Sequence, residues 1–186
     1  MRLLVTRDDY FAAALDLLAA RGHGELKIGL LCRTIGVTTG SFYHYFGSWD
    51  AFVTELLAHW EQEKTQRLAA TVDAEPDPIA RVRTIKKMAL DLPHDAERAI
   101  RSWAHVNETV AQVQQRVDTE RLAAIRAVLV PLVGRTRRAD RLALMGLSML
   151  TGWQQLRAPV DTRDLARLLD DYEDVVLGHA SVGVGG

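Results

Sequence analysis

The chain has 186 residues, of which 48% are hydrophobic and 25% are charged, and its formal net charge is −1. These values are typical of a globular protein with one core or two small ones. No stretch approaches the roughly 20 apolar residues needed to span a bilayer, and the N-terminus lacks a signal-peptide pattern. The single cysteine, Cys32, excludes an intrachain disulfide. We therefore expect a cytoplasmic protein without a membrane partner.

Apolar residues recur at helical spacing through most of the chain, which predicts an all-α fold of about nine helices. Thr6 to Asp9 form a start similar to a capping box. The first helix ends near Arg21-Gly22, and it is predicted to bury a stripe made of Phe11, Ala14, Leu15 and Leu18.

The segment Leu26–Phe46 is predicted to form two short helices joined by a tight turn. Gly36 follows the apolar face of the first helix, at a position where helices commonly end in a left-handed conformation. Thr38 can then cap a second helix that runs from Thr39 to Tyr45. The inward face of the first helix is formed by Ile28, Leu31, Cys32 and Ile35.

The second helix of this segment has an unusual exposed face. Phe42 and Phe46 point one way, and no acidic residue occurs between Arg33 and Asp50. The side chains left outside are Thr39, Ser41, Tyr43 and His44. Hydroxyls, a phenol ring and an imidazole at a helix N-terminus suit phosphate oxygens and base edges. The alternative is a helix-turn-helix that serves only as scaffold in a helical small-molecule-binding protein or enzyme.

The residues from Ile28 to Phe52 resemble the DNA-binding domain of the TetR family of bacterial transcription regulators. The resemblance rests on the ordered string Ile-Gly-Val-Thr-Thr-Gly-Ser-Phe-Tyr-His-Tyr-Phe from Ile35 to Phe46, followed by Ser48. The family usually has a basic residue where this chain has Trp49, and Thr or Ser where it has Lys27. We therefore expect one phosphate contact to have moved from position 49 to Lys27.

The resemblance implies that this segment contacts double-stranded DNA. The expected contact residues are Lys27, Thr38, Thr39, Gly40, Ser41, Tyr43 and His44. Of these, Tyr43 and Lys27 are expected at phosphates, and Thr39, Ser41 and His44 nearer to bases. The first fifty residues hold five basic and five acidic side chains. Because such a segment has little net attraction for DNA, tight binding is expected to need a dimer.

The rest of the chain is predicted to be a helical body. A fourth helix, capped by Ser48, runs to about Thr71, and Glu75-Pro-Asp-Pro78 breaks it. The predicted domains are residues 1–72 for DNA binding, with the motif at 27–46, and 73–178 for regulation, with a flexible tail at 179–186. The helices predicted in the body are Pro78–Leu90, Asp95–Val106, Glu108–Val130, Arg138–Leu156 and a last helix capped by Asp161.

Two features of the body point to a dimer. Gly146 and Gly152 lie inside one predicted helix, which indicates close approach by another helix. The resemblance implies a homodimer formed through residues 138–156 and 161–177, although both helices could instead pack in a monomer core. A two-fold dimer would read a palindromic operator at recognition-helix spacings of about 34–36 Å or a multiple.

The resemblance also implies an effector site in the body, and the apolar composition favours a small apolar or aromatic effector. The candidate lining residues are Met88, Trp103, His105, Val106, Val113, Val117 and Trp153. We find no catalytic constellation, metal-ligand set or cofactor motif. The resulting hypothesis is a ligand-responsive repressor rather than an enzyme, which needs no cofactor and binds the nucleoid in a bacterial cytoplasm.

Overall fold

A computed structural model describes residues 5–134, 136–157, 159 and 161–181. Within this part of the chain there are nine α-helices and no strand, which confirms the predicted all-α class. A 3-10 turn at His23–Glu25 precedes α2. The helices are α1 (Arg7–Arg21), α2 (Ile28–Ile35), α3 (Thr39–Phe46), α4 (Trp49–Ala74), α5 (Pro78–Leu90), α6 (His94–Ala104), α7 (Glu108–Val133), α8 (Thr136–Leu156) and α9 (Thr162–Ser181).

Most helix starts follow the predicted caps. Backbone N–H groups donate to the side-chain oxygens of the predicted caps Thr6, Thr38, Ser48 and Asp161, and also to that of Asn107, at 2.8–3.3 Å. Each bond satisfies a donor that has no partner inside its helix. Asp9 completes a capping box at α1, because its carboxylate accepts hydrogen bonds from the Thr6 amide at 2.7 Å and from the Thr6 hydroxyl at 2.8 Å. These two bonds lower the pKa of the Asp9 carboxyl.

Several helix ends differ from the prediction. Helix α6 ends at Ala104 rather than Val106, because the next residues turn to let Asn107 cap α7. Helix α7 continues through Pro131 to Val133. A proline in the last turn removes only one backbone bond, and the helix ends at Gly134, where φ is +63°.

The C-terminal helix is longer than predicted. Helix α9 continues past Gly178 to Ser181, so the first three residues of the predicted tail 179–186 are helical. Gly178 has a helical conformation with φ outside the left-handed region, so it does not act as a helix stop. The remaining tail residues lie outside the described part of the chain.

The chain folds into two compact units. The first comprises the chain up to Gln62 together with Pro93–Gln114, and the second comprises Glu63–Leu92 and the chain from Gln115 onward. Helix α6 belongs to the first unit because it packs against α1. The boundary near residue 73 was placed from two prolines alone and stays a prediction.

The first unit buries an aromatic core beneath the helix-turn-helix. Tyr10, Phe42 and Phe52 are fully buried, and the indole of Trp60 donates a hydrogen bond to the buried Glu97 carboxylate at 3.2 Å. In the second unit, α5, α7, α8 and α9 enclose an aliphatic core. Its buried members are Val82, Val128, Leu129, Val133, Ala139, Leu142, Ala143 and Val176.

Candidate nucleic-acid interface and ligand cavity

The turn between α2 and α3 has the geometry that its sequence predicts. Gly36 adopts φ +76° and ψ +32°, a left-handed conformation that other residues adopt at a cost. The next amide, that of Val37, donates to the carbonyl of Cys32 at 2.9 Å. Thr38 then starts α3. Lys27 occupies the N-cap of α2 without a side-chain capping bond, so its ammonium is not used there.

Helix α3 is held from below by aromatic packing. The ring centroids of Phe46 and Tyr10 are 5.2 Å apart at 86°, and those of Phe46 and Phe52 are 4.9 Å apart at 73°. Such edge-to-face pairs stabilise packing by about 0.5–1.5 kcal/mol each beyond burial. Since both neighbours lie on longer helices, they fix the orientation of the short α3.

The residues predicted to contact DNA lie mainly on the solvent side of this frame. Tyr43 is 52% exposed. Ser41 differs from the others because it is half-buried, and its hydroxyl accepts a hydrogen bond from Tyr10 at 3.1 Å. The exposed members are Lys27, Thr38, Thr39, Gly40, Tyr43 and His44. The structure thus leaves six of the seven available to a partner, and their contact with DNA stays a prediction.

A larger residue than glycine would fit at position 40 without a clash inside the described chain. A Cβ added there would meet only the Thr38 hydroxyl, at 3.7 Å, and its φ is outside the left-handed region. Glycine in a helix costs up to about 1 kcal/mol relative to alanine. Packing within the described chain therefore gives no steric reason for a glycine at this position.

Two residues that hold this surface were missed by sequence reasoning. The Arg7 guanidinium donates to the Glu55 carboxylate and to the Tyr45 carbonyl. Its guanidinium also lies 5.1 Å from the Phe46 ring centroid. Tyr10 bonds Ser41, as described above. The periodic apolar stripe of α1 could have included Tyr10, whereas the pairing of Arg7 has no local signal.

The second unit contains a cavity of about 60 Å³ whose surface is almost entirely apolar. Side chains from α5, α7, α8 and α9 form it. The aliphatic and small lining residues are Val82, Ile85, Ala89, Ile125, Val128, Leu129, Gly146, Leu147, Leu150 and Leu169, and the polar ones are Lys86, Tyr172 and Glu173.

None of the seven predicted lining residues borders this cavity. His105 and Val106 are exposed, Val106 by 73%, because α6 ends before them. Trp103 is buried in the first unit, where its ring stacks on His23 with centroids 6.2 Å apart. The other four predicted residues are buried or half-buried elsewhere: Met88, Val113, Val117 and Trp153.

The polar residues at the cavity already have partners within the chain. Glu173 accepts bonds from Arg83 at 3.1 Å and from Lys86, which also bonds Asp170 at 2.8 Å. Burial would raise the pKa of Glu173, but the bonds from Lys86 and Arg83 outweigh it and hold the pKa below its usual value. Bonds to Asp170 and Glu173 raise the pKa of Lys86. These four charges sum to zero.

Helices α8 and α9 leave apolar side chains exposed. Leu144 and Leu156 of α8 are 56% and 81% exposed, and Val175 of α9 is 44% exposed. Gly152 lies eight residues after Leu144 and four before Leu156, near the same face of α8. A Cβ added at Gly152 would meet no atom within 4 Å. Gly146 is different, because the Tyr172 ring of the same chain approaches it.

The described residues provide no group of three His, Cys, Asp or Glu side chains that could hold a metal ion. Among the described helices, none has the length and apolarity to cross a membrane.

Comparisons with known proteins match this geometry. The family model described as bacterial regulatory proteins, tetR family, matches residues 11–56, which span α1 to the start of α4. The HTH-type transcriptional regulator BetI of Burkholderia cenocepacia is 24% identical over 93% of this chain and 94% of its own length.

Solved structures of low sequence identity share the fold. A transcriptional regulator from Rhodococcus sp. Rha1 superposes with a TM-score of 0.75 at 20% identity, over 96% of this chain and 97% of that chain. A regulator described as putative from Saccharomonospora viridis, solved in complex with choline, has a TM-score of 0.71 at 17% identity, over 89% and 94%. Residues 11–56 thus match the tetR family model, and the similarity to BetI over nearly the whole chain, with the shared all-α fold, supports a DNA-binding transcriptional regulator of the TetR family.

Proposed function

We propose that the protein is a ligand-responsive repressor that binds a palindromic operator as a homodimer in the bacterial cytoplasm. The observation that carries the proposal is the pairing of an outward recognition surface on α3 with an apolar cavity in the second unit. Helix α4 begins in the first unit and ends in the second, and so provides a continuous connection. An enzyme with a scaffold-only helix-turn-helix gives no reason for the exposed, carboxylate-free face of α3.

The dimer is supported by the apolar exposure of α8 and α9. A monomer gains nothing from leaving Leu144 and Leu156 in water, whereas a two-fold contact would bury both on each protomer. Gly152 lies between them with open space above it, which allows close approach of a partner helix.

The test of the dimer is sedimentation equilibrium of the wild type and a Leu144→Asp variant. We expect a wild-type dimer and a folded, monomeric variant, because a carboxylate buried at the interface would lack a cation. The matched control is Glu108→Asp, at an exposed position of α7, which should leave the dimer intact. A monomeric wild type at tens of micromolar would contradict the dimer.

The effector is proposed to be a small apolar or aromatic molecule, unlike the choline held by the Saccharomonospora viridis protein. A quaternary ammonium needs several aromatic faces or a free carboxylate. This cavity provides one aromatic residue, Tyr172, and its carboxylate, Glu173, is already bonded twice.

The size of the cavity suggests how binding would act on DNA. An apolar cavity of about 150 Å³ binds benzene, and this one is about 60 Å³. A ring-sized ligand must therefore push the lining helices apart, and it binds the wider conformation more tightly. Such differential affinity shifts the population toward that conformation. In the proposed mechanism the wider state places the two recognition helices at a spacing that no longer fits successive grooves.

The test uses a duplex selected by the wild type from a random pool, with toluene, indole and choline as probes. We expect toluene or indole, but not choline, to weaken duplex binding. Ala89→Leu adds carbon atoms to the cavity and should abolish the response while leaving DNA affinity unchanged. Equal responses of the wild type and Ala89→Leu would contradict the cavity as the effector site.

A further inference from the structure

Trp49 lies at the junction of the recognition helix and the long helix that follows it. It is the first residue of α4, and its side chain is half-buried. Its ring centroid is 5.4 Å from that of Phe52 and 6.3 Å from that of Phe42, with interplanar angles of 39° and 28°. Phe42 and Phe52 are themselves 5.2 Å apart, edge to face. The three rings therefore contact one another and join α3 to α4.

The orientation of α3 depends on this cluster, because α3 is too short to be a stable helix by itself. Helix α3 has eight residues, too few to be stable alone, so its orientation follows from the packing of its buried side chains. Only two of its residues, Phe42 and Phe46, are buried. Phe42 is 0% exposed, and Trp49 packs on it from the far side of the Gly47 turn. Phe42 also packs on Tyr10, with ring centroids 6.1 Å apart, so loss of the indole would remove one of the ring contacts that hold Phe42 in place.

The Trp49 side chain is uncharged, unlike the basic side chains of the same segment. Between Leu26 and Trp49 the basic side chains are Lys27 and Arg33, both exposed. An indole carries no charge and releases no counterion when it approaches DNA. Any contribution of Trp49 to binding therefore does not come from charge neutralisation.

We infer that Trp49 is a positioning residue, which through Phe42 sets the orientation of α3 for reading base edges. This inference rests on the proposed operator binding and goes beyond it, because it assigns sequence discrimination to a residue without base contact. A recognition helix that is free to tilt loses base contacts but keeps its attraction for phosphates. Substitution of Trp49 should therefore weaken sequence-specific binding and leave non-specific binding unchanged.

The experiment compares the wild type with Trp49→Ala and Trp49→Phe on two duplexes, one selected by the wild type from a random pool and one scrambled. Affinity is measured over a range of salt concentrations. We expect Trp49→Ala to weaken binding to the selected duplex about fivefold to a hundredfold, the loss that one missing base contact causes. Binding to the scrambled duplex and the salt dependence should not change. Trp49→Phe, which keeps a ring against Phe42, should restore most of the loss.

Other outcomes would overturn the inference. Equal weakening on both duplexes at an unchanged salt dependence would make Trp49 a direct contact to the DNA backbone, because its indole is neutral. Unchanged affinity on both, in a folded Trp49→Ala protein, would limit Trp49 to fold stability. If Trp49→Ala does not fold, Trp49→Leu keeps much of the apolar volume without a ring, and the same split between duplexes is expected. A wild type that selects no sequence would overturn operator binding itself, before any variant is compared.

Discussion

The ring of Tyr172 lies so close to Gly146 that a Cβ added at this glycine would be 2.8 Å from the Tyr172 Cζ atom. The contact lets α9 approach α8 within the same chain. It places the Tyr172 hydroxyl 2.7 Å from the Leu142 carbonyl, to which it donates. Both Gly146 and Tyr172 line the cavity.

Gly146→Ala is expected to destabilise the protein even though alanine is the better helix former. The methyl group must displace a ring held by a hydrogen bond, and overpacking of this kind costs about 1–3 kcal/mol, against a gain of up to about 1 kcal/mol in helix propensity. Urea unfolding measures the difference. The control is Gly29→Ala in α2, where a Cβ meets only the Arg33 guanidinium at 3.6 Å. Equal stability of the two variants would contradict the close approach.

The Tyr172 hydroxyl should make stability fall at high pH. Burial raises the pKa of Tyr172 to about 12. Because the folded pKa lies above the unfolded value near 10, the contribution is complete below pH 10 and is lost as pH rises through 12. At about 1.4 kcal/mol per pKa unit, the loss is at most about 3 kcal/mol. Unfolding of the wild type and Tyr172→Phe between pH 9 and 12 measures it. Parallel curves would refute the assignment.

Lys86 is predicted to stabilise the second unit through Glu173. In Lys86→Met the Glu173 carboxylate, only 10% exposed, keeps Arg83 as its one partner. We expect a loss of about 1–3 kcal/mol, below the value for a fully buried pair because Lys86 is itself partly exposed. The depressed pKa of Glu173 means that the pair contributes above about pH 4.3 and that its contribution is lost as pH falls further. The double variant Lys86→Met/Glu173→Leu should recover most of the lost stability. A double variant that is as unstable as Lys86→Met would count against the pairing of Lys86 with Glu173.

Gly40→Ala should separate DNA binding from folding. The methyl group has room inside the protein, so thermal stability should stay the same or rise slightly. Contact with a phosphate backbone would be obstructed, so affinity for the selected duplex should fall. Thermal unfolding and fluorescence anisotropy measure the two effects. Unchanged affinity would remove Gly40 from the interface.

Lys27 and Tyr43 are predicted to differ in their salt dependence. Lys27→Ala should reduce the slope of log K against log salt by about 1, because one cation fewer neutralises a phosphate. Tyr43→Ala should weaken binding on every sequence at an unchanged slope, because the phenol is neutral. Titrations at several salt concentrations distinguish the two. Wild-type affinity in Tyr43→Ala would remove that residue from the surface.

The helix-turn-helix could be predicted from sequence because its determinants are local. Gly36 and Thr38 specify the turn and the next cap by their own conformations, and the structure reproduces both. Contacts between distant helices have no such signal. The bond from Tyr10 to Ser41 and the pairing of Arg7 with Glu55 depend on how α1 packs, which no short pattern encodes.

The cavity was missed for the same reason. The predicted lining residues, Trp103 and Trp153 among them, follow from the resemblance and from apolar composition, and neither locates a void. The cavity instead forms where α5, α7, α8 and α9 fail to close over small and branched residues. A void depends on the mutual distance of four helices, so it follows from packing and not from the apolar period of any one helix. Gly146 correctly predicts that another helix approaches α8 closely. The neighbouring residue, however, is Tyr172 of the same chain.

The most direct measurement of the central claim is binding of the purified protein to its own upstream DNA region and to a scrambled duplex at matched salt, with the mass of each complex determined. We predict salt-sensitive, sequence-selective binding with two protomers on a site of two-fold symmetry. Equal affinity for both duplexes at every salt concentration, repeated with a pool of random duplexes, would contradict an operator-binding repressor.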